Sequence, residues 1–476
     1  MNNRHYLCFF VSLLFFASCF GIASEARAPR TLLPPDRLQY PALEFRLPAA
    51  ERIELQNGMV LFFLANRELP LVSLSVLVRT GSAYDPPGKE GVAELTAYLL
   101  RTGGTKKTES AGMDERFDFL GVSPSVSMGM DSASVHFTFP KSDLDSCLDL
   151  LSQMLQEPAF EEQKLQIALS QKREELRRIA DNPQKLAFRE FNRLLYPDDP
   201  RGRYATVASL ENVSRDDLAS FHRKYFFPAN MMIALSGDIS RDDAVKTIER
   251  YFGIRENPRS AAAVLPPPSK SAGGPYFIRK PLSQSVVVSG ELSVGKKDPD
   301  YHAFAVLDFI IGSGGFPSRI FTAVRNNEGL AYSAGSFYRA RGNYGVFGTY
   351  AFTKTSSTLQ AFLLIRSILK DVAAGAVSQA DLDWAKKSVL NGFIFSFEEP
   401  AQIAAQQMTV EFEDLPRDYL SAYRRRIETV TLNDLKRVAA KYLDEKKRLT
   451  VILGDVEQFG KWPDAWEGPV FLNPQP

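Results

Sequence analysis

Apolar residues along the chain fall into short strand-like runs followed by longer helical stretches, and this order occurs twice. Leu71–Arg79 and Ser285–Leu292 are rich in β-branched residues and read as strands. A turn marked by Asp85-Pro86 or Asp298-Pro299 follows each, and an apolar helix then begins at about Val92 or Tyr301. Long helices are expected over Glu161–Ala180 and Gln379–Glu398. The segments Val213–Ile239 and Val430–Val456 align without a gap at an offset of 217. The pairs Val213/Val430, Asp217/Asp434, Leu218/Leu435, Lys224/Lys441, Tyr225/Tyr442, Gly237/Gly454 and Asp238/Asp455 are identical. Each segment opens on a Ser/Thr-x-x-Asp helix start, at Ser214 or Thr431, and closes an apolar strand on Gly-Asp. Matched identity in matched order predicts two homologous α+β halves, each a mixed or antiparallel sheet covered by helices on one face.

Composition shifts mark the boundaries. Residues 25–45 are Pro-rich and read as an extended lead-in, and residues 257–274, rich in Pro, Ala, Ser and Gly, as a linker. The halves then span 46–256 and 275–460, with a tail at 461–476. Arg4 and His5 precede the apolar run Leu7–Ala23, so residues 1–24 read as a secretory signal peptide cleaved near Ser24. Lipidation at Cys19 is the alternative, and the only route to a membrane. The expected location is the periplasm, with a lipoprotein or a secreted protein as variants. With 57 basic and 56 acidic side chains the charge gives no nucleic-acid footprint. Three cysteines make no disulfide framework, and removal or lipidation of the leader leaves Cys147 alone.

The segment Gly81–Thr105 carries a Gly-Ser-x-x-Asp-x-Pro-Gly turn, then Gly91-Val92-Ala93, a helix and a Gly104-Thr105 exit. It resembles the active-site region of the insulinase/pitrilysin family of zinc peptidases, the inverzincins, including their mitochondrial-processing-peptidase-like bacterial members. The resemblance runs from about residue 45 to about 460 and implies the LuxS/processing-peptidase-like metallopeptidase fold. In that family an H-x-x-E-H helix supplies two zinc ligands and the general base, and a later helix supplies a Glu ligand. On this register Glu94 stands at the first His, Ala97 at the base, Tyr98 at the second His and Glu175 at the third ligand. Ala168 replaces a second acid, and Ser125 stands where the family has an Asn on its substrate-side strand. Tyrosine titrates near ~10 and is a poor ligand at neutral pH. Loss of a general base alone costs about 10²–10⁴ in rate. The resemblance therefore implies no catalytic residues, with Glu175 a vestigial ligand and no zinc in this chain. His5, His136, His222 and His302 form no i, i+4 pair that could rebuild a metal site.

Arg325 and Tyr332, seven residues apart after the glycine-rich loop Gly312–Arg319, match a pair that in the family reaches the substrate. The loop lacks the Gly-Lys-Ser/Thr ending of a phosphate loop. In two-subunit bacterial members one chain carries zinc and the other supplies the Arg/Tyr pair. The resemblance thus implies a non-catalytic, peptide-binding subunit whose partner is a zinc-bearing insulinase-like peptidase. Two alternatives stand beside it: an envelope scaffold that retains the fold, and a metal-dependent endopeptidase using Glu94 and Glu175. On the leading reading, restoring Glu94→His, Ala97→Glu and Tyr98→His together creates a zinc site.

Overall fold

A computed structural model describes residues 47–253, 264–269, 273–459 and 470–474. The leader with Cys19 and the lead-in lie outside the described residues, as do residues 257–263 and 270–272 of the linker and 461–469 of the tail. Among the described residues no helix is long and apolar enough to cross a membrane.

The strands of the first half are β1 (Glu51–Glu54), β2 (Val60–Ala65), β3 (Leu71–Val78), β4 (Ser125–Met128), β5 (Ala133–Pro140) and β6 (Met231–Gly237). Those of the second are β7 (Gly274–Arg279), β8 (Gln284–Ser293), β9 (Ala331–Ala340), β10 (Gly345–Lys354), β11 (Leu449–Gly454) and β12 (Val470–Phe471). They form two six-stranded sheets, ordered β1-β2-β6-β3-β5-β4 and β12-β7-β11-β8-β10-β9. Both are mixed: β2 pairs parallel to β6 and β7 parallel to β11, while the remaining inner pairs are antiparallel. The tail returns at Val470–Phe471 to pair parallel with β7.

Helices α1 (Val92–Thr102), α2 (Ser110–Leu120), α3 (Leu144–Gln156), α4 (Glu162–Arg177), α5 (Pro183–Leu195), α6 (Val207–Glu211), α7 (Arg215–Tyr225) and α8 (Arg241–Phe252) belong to the first half. The second half has α9 (Tyr301–Asp308), α10 (Thr358–Ala373), α11 (Gln379–Ile394), α12 (Pro400–Phe412), α13 (Tyr419–Glu428) and α14 (Leu432–Tyr442). The offset of 217 relates α4 to α11, α5 to α12 and α7 to α14, end for end. Helices α7 and α14 both start on complete capping boxes, at Ser214 and Thr431. The long helices end earlier than the sequence reading, at Arg177 and Ile394, each followed by a short 3₁₀ turn. The physical reason is Pro183 and Pro400. Each forces the residue before it to extended backbone and starts a new helix.

The expectation of helices on one sheet face needs correction, because both faces are covered. In β2, Leu61 and Phe63 face the helices of their own half, whereas Val60 and Phe62 pack with Ala404 and Met408 of α12. In β8 and β11, Val287 and Ile452 join the core of the second half, whereas Val286, Val288, Leu449, Val451 and Leu453 pack with Leu186, Phe191 and Leu195 of α5. Each half thus lends one helix to the other's sheet. Burial on both faces explains why these strands read as continuous apolar runs rather than as alternating ones.

Candidate functional site

Helix α1 begins at Gly91, whose φ of 112° is left-handed and where a Cβ would meet the Leu210 side chain at 2.8 Å. The buried Asp85 carboxylate accepts from Gly91 N at 2.8 Å and Ala93 N at 2.7 Å, fixing the first turn. Burial pushes the Asp85 carboxyl up to about 6, against the pull of those two backbone donors. The apolar face of α1 (Val92, Ala93, Leu95, Leu99, Leu100) is buried, and Ala97 is buried with it. Glu94 and Tyr98, four apart, lie on the exposed side.

Helix α4 packs beside α1 and brings Glu175 to the same place. The two carboxylates do not meet directly. The Lys172 ammonium lies between them, donating to Glu94 Oε1 at 2.6 Å and Glu175 Oε2 at 3.0 Å. Burial alone would lower the lysine's affinity for its proton. The pull of Glu94 and Glu175 outweighs it, so the group is raised and stays charged. Lys172 escaped the sequence reading, although a lysine three residues before Glu175 on one helix face was a visible signal. Ala168 is buried in the core. Ser125 opens the edge strand β4, opposite His136.

A zinc site of the family's kind does not fit these residues. Ala97 offers no donor, Tyr98 offers a phenol, and the space between Glu94 and Glu175 already holds a cationic nitrogen. Among the described residues no group of three His, Cys, Asp or Glu could hold a metal ion. The three histidines among the described residues are engaged elsewhere or enclosed. His136 Nδ1 meets Ser75 Oγ, His222 Nε2 meets the Leu155 carbonyl, and His302 is buried against Tyr301, Tyr419 and Tyr423.

In the second half the chain leaves α9 through a π-helical turn at Phe309–Ser313 and forms another at Phe321–Asn327. Wide turns of this kind are rare and concentrate at functional sites. Gly312 lies so close to β9 that a Cβ would meet Ser336 N at 2.2 Å. Arg325 projects from the second wide turn, and its guanidinium carbon sits 4.7 Å from the Phe321 ring, 5.7 Å from Phe316 and 5.8 Å from Tyr332. Phe316 and Tyr332 are 67% and 84% exposed, so this cluster faces solvent. Arg325 has no hydrogen bond or ion pair among the described residues. Its donors are positioned by three rings and left available. In the same half, Asp308 is buried, accepts from Ser336 Oγ at 2.5 Å and is pushed by burial up to about 6. Nothing in the sequence pattern pointed to Asp308 or to Phe316. No hydrogen bond, ion pair or ring contact joins the Arg325 cluster to the Glu94 cluster among the described residues.

Known proteins share both the pattern and the shape. The profile "Insulinase (Peptidase family M16)" matches residues 62–205, and "Peptidase M16 inactive domain" matches residues 212–389. An uncharacterized zinc protease of Rickettsia bellii is 24% identical over 369 residues, 77% of this chain and 86% of its own. One of Streptomyces coelicolor is 23% identical over 422 residues, 86% and 90% of the two chains. A crystal structure described as the peptidase M16 inactive domain from Pseudomonas fluorescens superposes with a TM-score of 0.79 at 25% identity, covering 85% of this chain and 98% of that one. A protease from Helicobacter pylori shares the fold at a TM-score of 0.78 and 22% identity, covering 86% of this chain and all of its own. The matched stretches include α1, α4 and the Arg325–Tyr332 cluster, and with them the chain belongs to the insulinase (M16) peptidase family.

Proposed function

We propose that this chain is a non-catalytic, exported subunit that binds peptide through Arg325 and Tyr332 and works with a separate zinc-bearing insulinase-like peptidase. The supporting observation is the Arg325 cluster. An arginine without a carboxylate partner among the described residues, held by rings of which two are exposed, keeps its donors open to a ligand. A guanidinium offers fixed donors to a peptide carbonyl, and a phenol offers a donor to oxygen that becomes negative during hydrolysis. Helix α1 cannot supply the other half of the chemistry, since Ala97 has no proton acceptor and Glu94 is tied to Lys172. The zinc and the base would come from the partner. The words "inactive domain" in the second profile concern residues 212–389, so the non-catalytic reading rests on residues 94–98 and not on that name. The relatives called zinc proteases lend the substrate class, peptide, to the proposal.

The test is affinity capture of the tagged chain from its own organism, followed by peptidase assay of the complex. Recovery of a homologue with a complete H-x-x-E-H is expected. Arg325→Ala should then lower the activity of the complex about 10²–10³-fold, as loss of an oxyanion-side donor does, with the complex intact on gel filtration. Unchanged activity, or capture of unrelated envelope proteins alone, would put the scaffold reading first.

A further inference from the structure

Glu94 and Glu175 belong to different helices, and both carboxylates approach one nitrogen to within 3.0 Å. Acids gathered so closely repel unless a cation sits among them. In a zinc site that cation is the metal, which carboxylate oxygens approach to about 2.0–2.2 Å. Here an ammonium with three donors does the same work at hydrogen-bond length. Its side chain is only 16% exposed, whereas those of the two glutamates are 55% and 59% exposed. The lysine is thus the enclosed member of the trio, with the acids closing over it.

The duplication supplies a control. At the offset of 217, α11 places Val389 where α4 has Lys172, and Gly392 where α4 has Glu175. Val389 packs against the core of the second half. The helix pair therefore forms without these charges, and the fold does not demand them.

We infer that Lys172 is the resident cation of the degenerate site: it fills the place between Glu94 and Glu175, ties α1 to α4 and excludes a divalent ion. A metal within bonding reach of both carboxylates would have to displace the ammonium from its two acceptors and from its enclosed position. Restoring the three missing residues of the H-x-x-E-H motif is then insufficient, because Glu175 remains paired with Lys172. The inference concerns the isolated chain and holds whether or not a partner subunit exists.

Zinc binding by the full purified chain tests it, measured by competition with a chromophoric chelator. The variant Glu94→His/Ala97→Glu/Tyr98→His is compared with the same variant carrying Lys172→Ala, both checked for native circular dichroism. Removal of the lysine should tighten zinc binding at least 100-fold. Equal affinity in the two variants, including no binding by either, overturns the exclusion. A second readout needs no metal and no redesigned motif, only acylation of Lys172 followed by mass spectrometry. In the natural chain Lys172 should react at least tenfold more slowly than in Glu94→Gln/Glu175→Gln. Equal reactivity would mean that the two glutamates do not hold the ammonium.

Discussion

The two halves share the order of five of their six strands and the spacing of three helices but differ at the places that bear chemistry. On α4 one face carries Lys172 and Glu175, whereas the matching face of α11 carries Val389 and Gly392. Between the first helix and the edge strand, the first half has a regular helix, α2. The second half has the two π-helical turns that present Arg325. Packing is satisfied in both versions, so it did not dictate either feature. Where two copies of one fold diverge without loss of core, the divergent residues were chosen for something other than folding. The first half departs toward two carboxylates bridged by a lysine, and the second toward an arginine among rings at the surface.

The strongest way to break the symmetry is through the exchanged helices. Phe191 of α5 is fully buried against the second sheet, and Met408 of α12 is buried against the first. Phe191→Ala should cost about 3–5 kcal/mol and Met408→Ala about 2–5 kcal/mol, by lost burial and cavity formation. Denaturant midpoints give the size. Hydrogen exchange gives the place, with protection lost first at Gln284–Ser293 and Leu449–Gly454 for Phe191→Ala, and at Val60–Ala65 and Met231–Gly237 for Met408→Ala. Loss confined to each residue's own half would show that the exchange contributes nothing to stability.

How much of this was written in the sequence depends on the range of the interaction. Capping boxes at Ser214 and Thr431, the strands at Leu71–Val78 and Gln284–Ser293, and the duplication itself rest on neighbours or on a fixed offset, and all were legible. The destination of α5 and α12 was not, since an amphipathic helix does not say whose sheet it will cover. The edge strand Val470–Phe471 is two residues long and pairs with a strand almost two hundred residues earlier. At the site, Glu94, Ala97, Tyr98 and Glu175 could be placed by register, but the ion pairs of Lys172 needed two helices to be brought side by side. Asp308 was invisible for another reason: nothing local distinguishes a buried aspartate from a surface one.

That aspartate gives the next prediction. Each half encloses one carboxyl pushed up to about 6, Asp85 at the start of α1 and Asp308 at the end of α9. Asp85 is met by two backbone N–H groups at a helix N-terminus, the end that favours negative charge. Asp308 lies within continuing helical backbone, where α9 runs on into the turn at Phe309–Ser313, and is met by the Ser336 hydroxyl instead. For Asp308 the ordinary value is 3.8, so the folded chain holds its proton more tightly than the unfolded chain. The associated stability is fully present below about pH 4 and is lost as pH rises through about 6. It amounts to roughly 3 kcal/mol for a shift of this size. Asp308→Asn cannot ionise, so its stability relative to the natural chain should improve by about that amount between pH 4 and pH 7. Asp85→Asn should show a pH-dependent gain of similar size but lie lower at every pH, because an amide can accept from only one of the two backbone donors with its oxygen. Equal stability of the two variants at pH 4, where the natural carboxyls are protonated, would erase this difference between the halves.

The smallest effects probe what the halves kept in common. Ser214 Oγ accepts from Asp217 N at 3.3 Å while Ser214 N donates to Asp217 Oδ2 at 2.9 Å, and Thr431 repeats the pattern with Asp434 at 3.2 and 3.0 Å. Ser214→Ala and Thr431→Ala should therefore each cost about 1 kcal/mol, within a few tenths of one another, measured by chemical denaturation. The acids that complete the two boxes are not equivalent. Asp217 also accepts from Lys89 Nζ at 2.6 Å, which fastens α7 to the turn before α1, while among the described residues Asp434 meets only Arg437 of its own helix and the capping Thr431. Asp217→Ala should accordingly exceed Asp434→Ala, but by less than about 1 kcal/mol, because the Lys89 pair is partly exposed. Equal caps with unequal acids would place the shared code in the helix start and the divergence in the contacts it makes. Unequal caps would mean that even the local signal is set by the half that surrounds it.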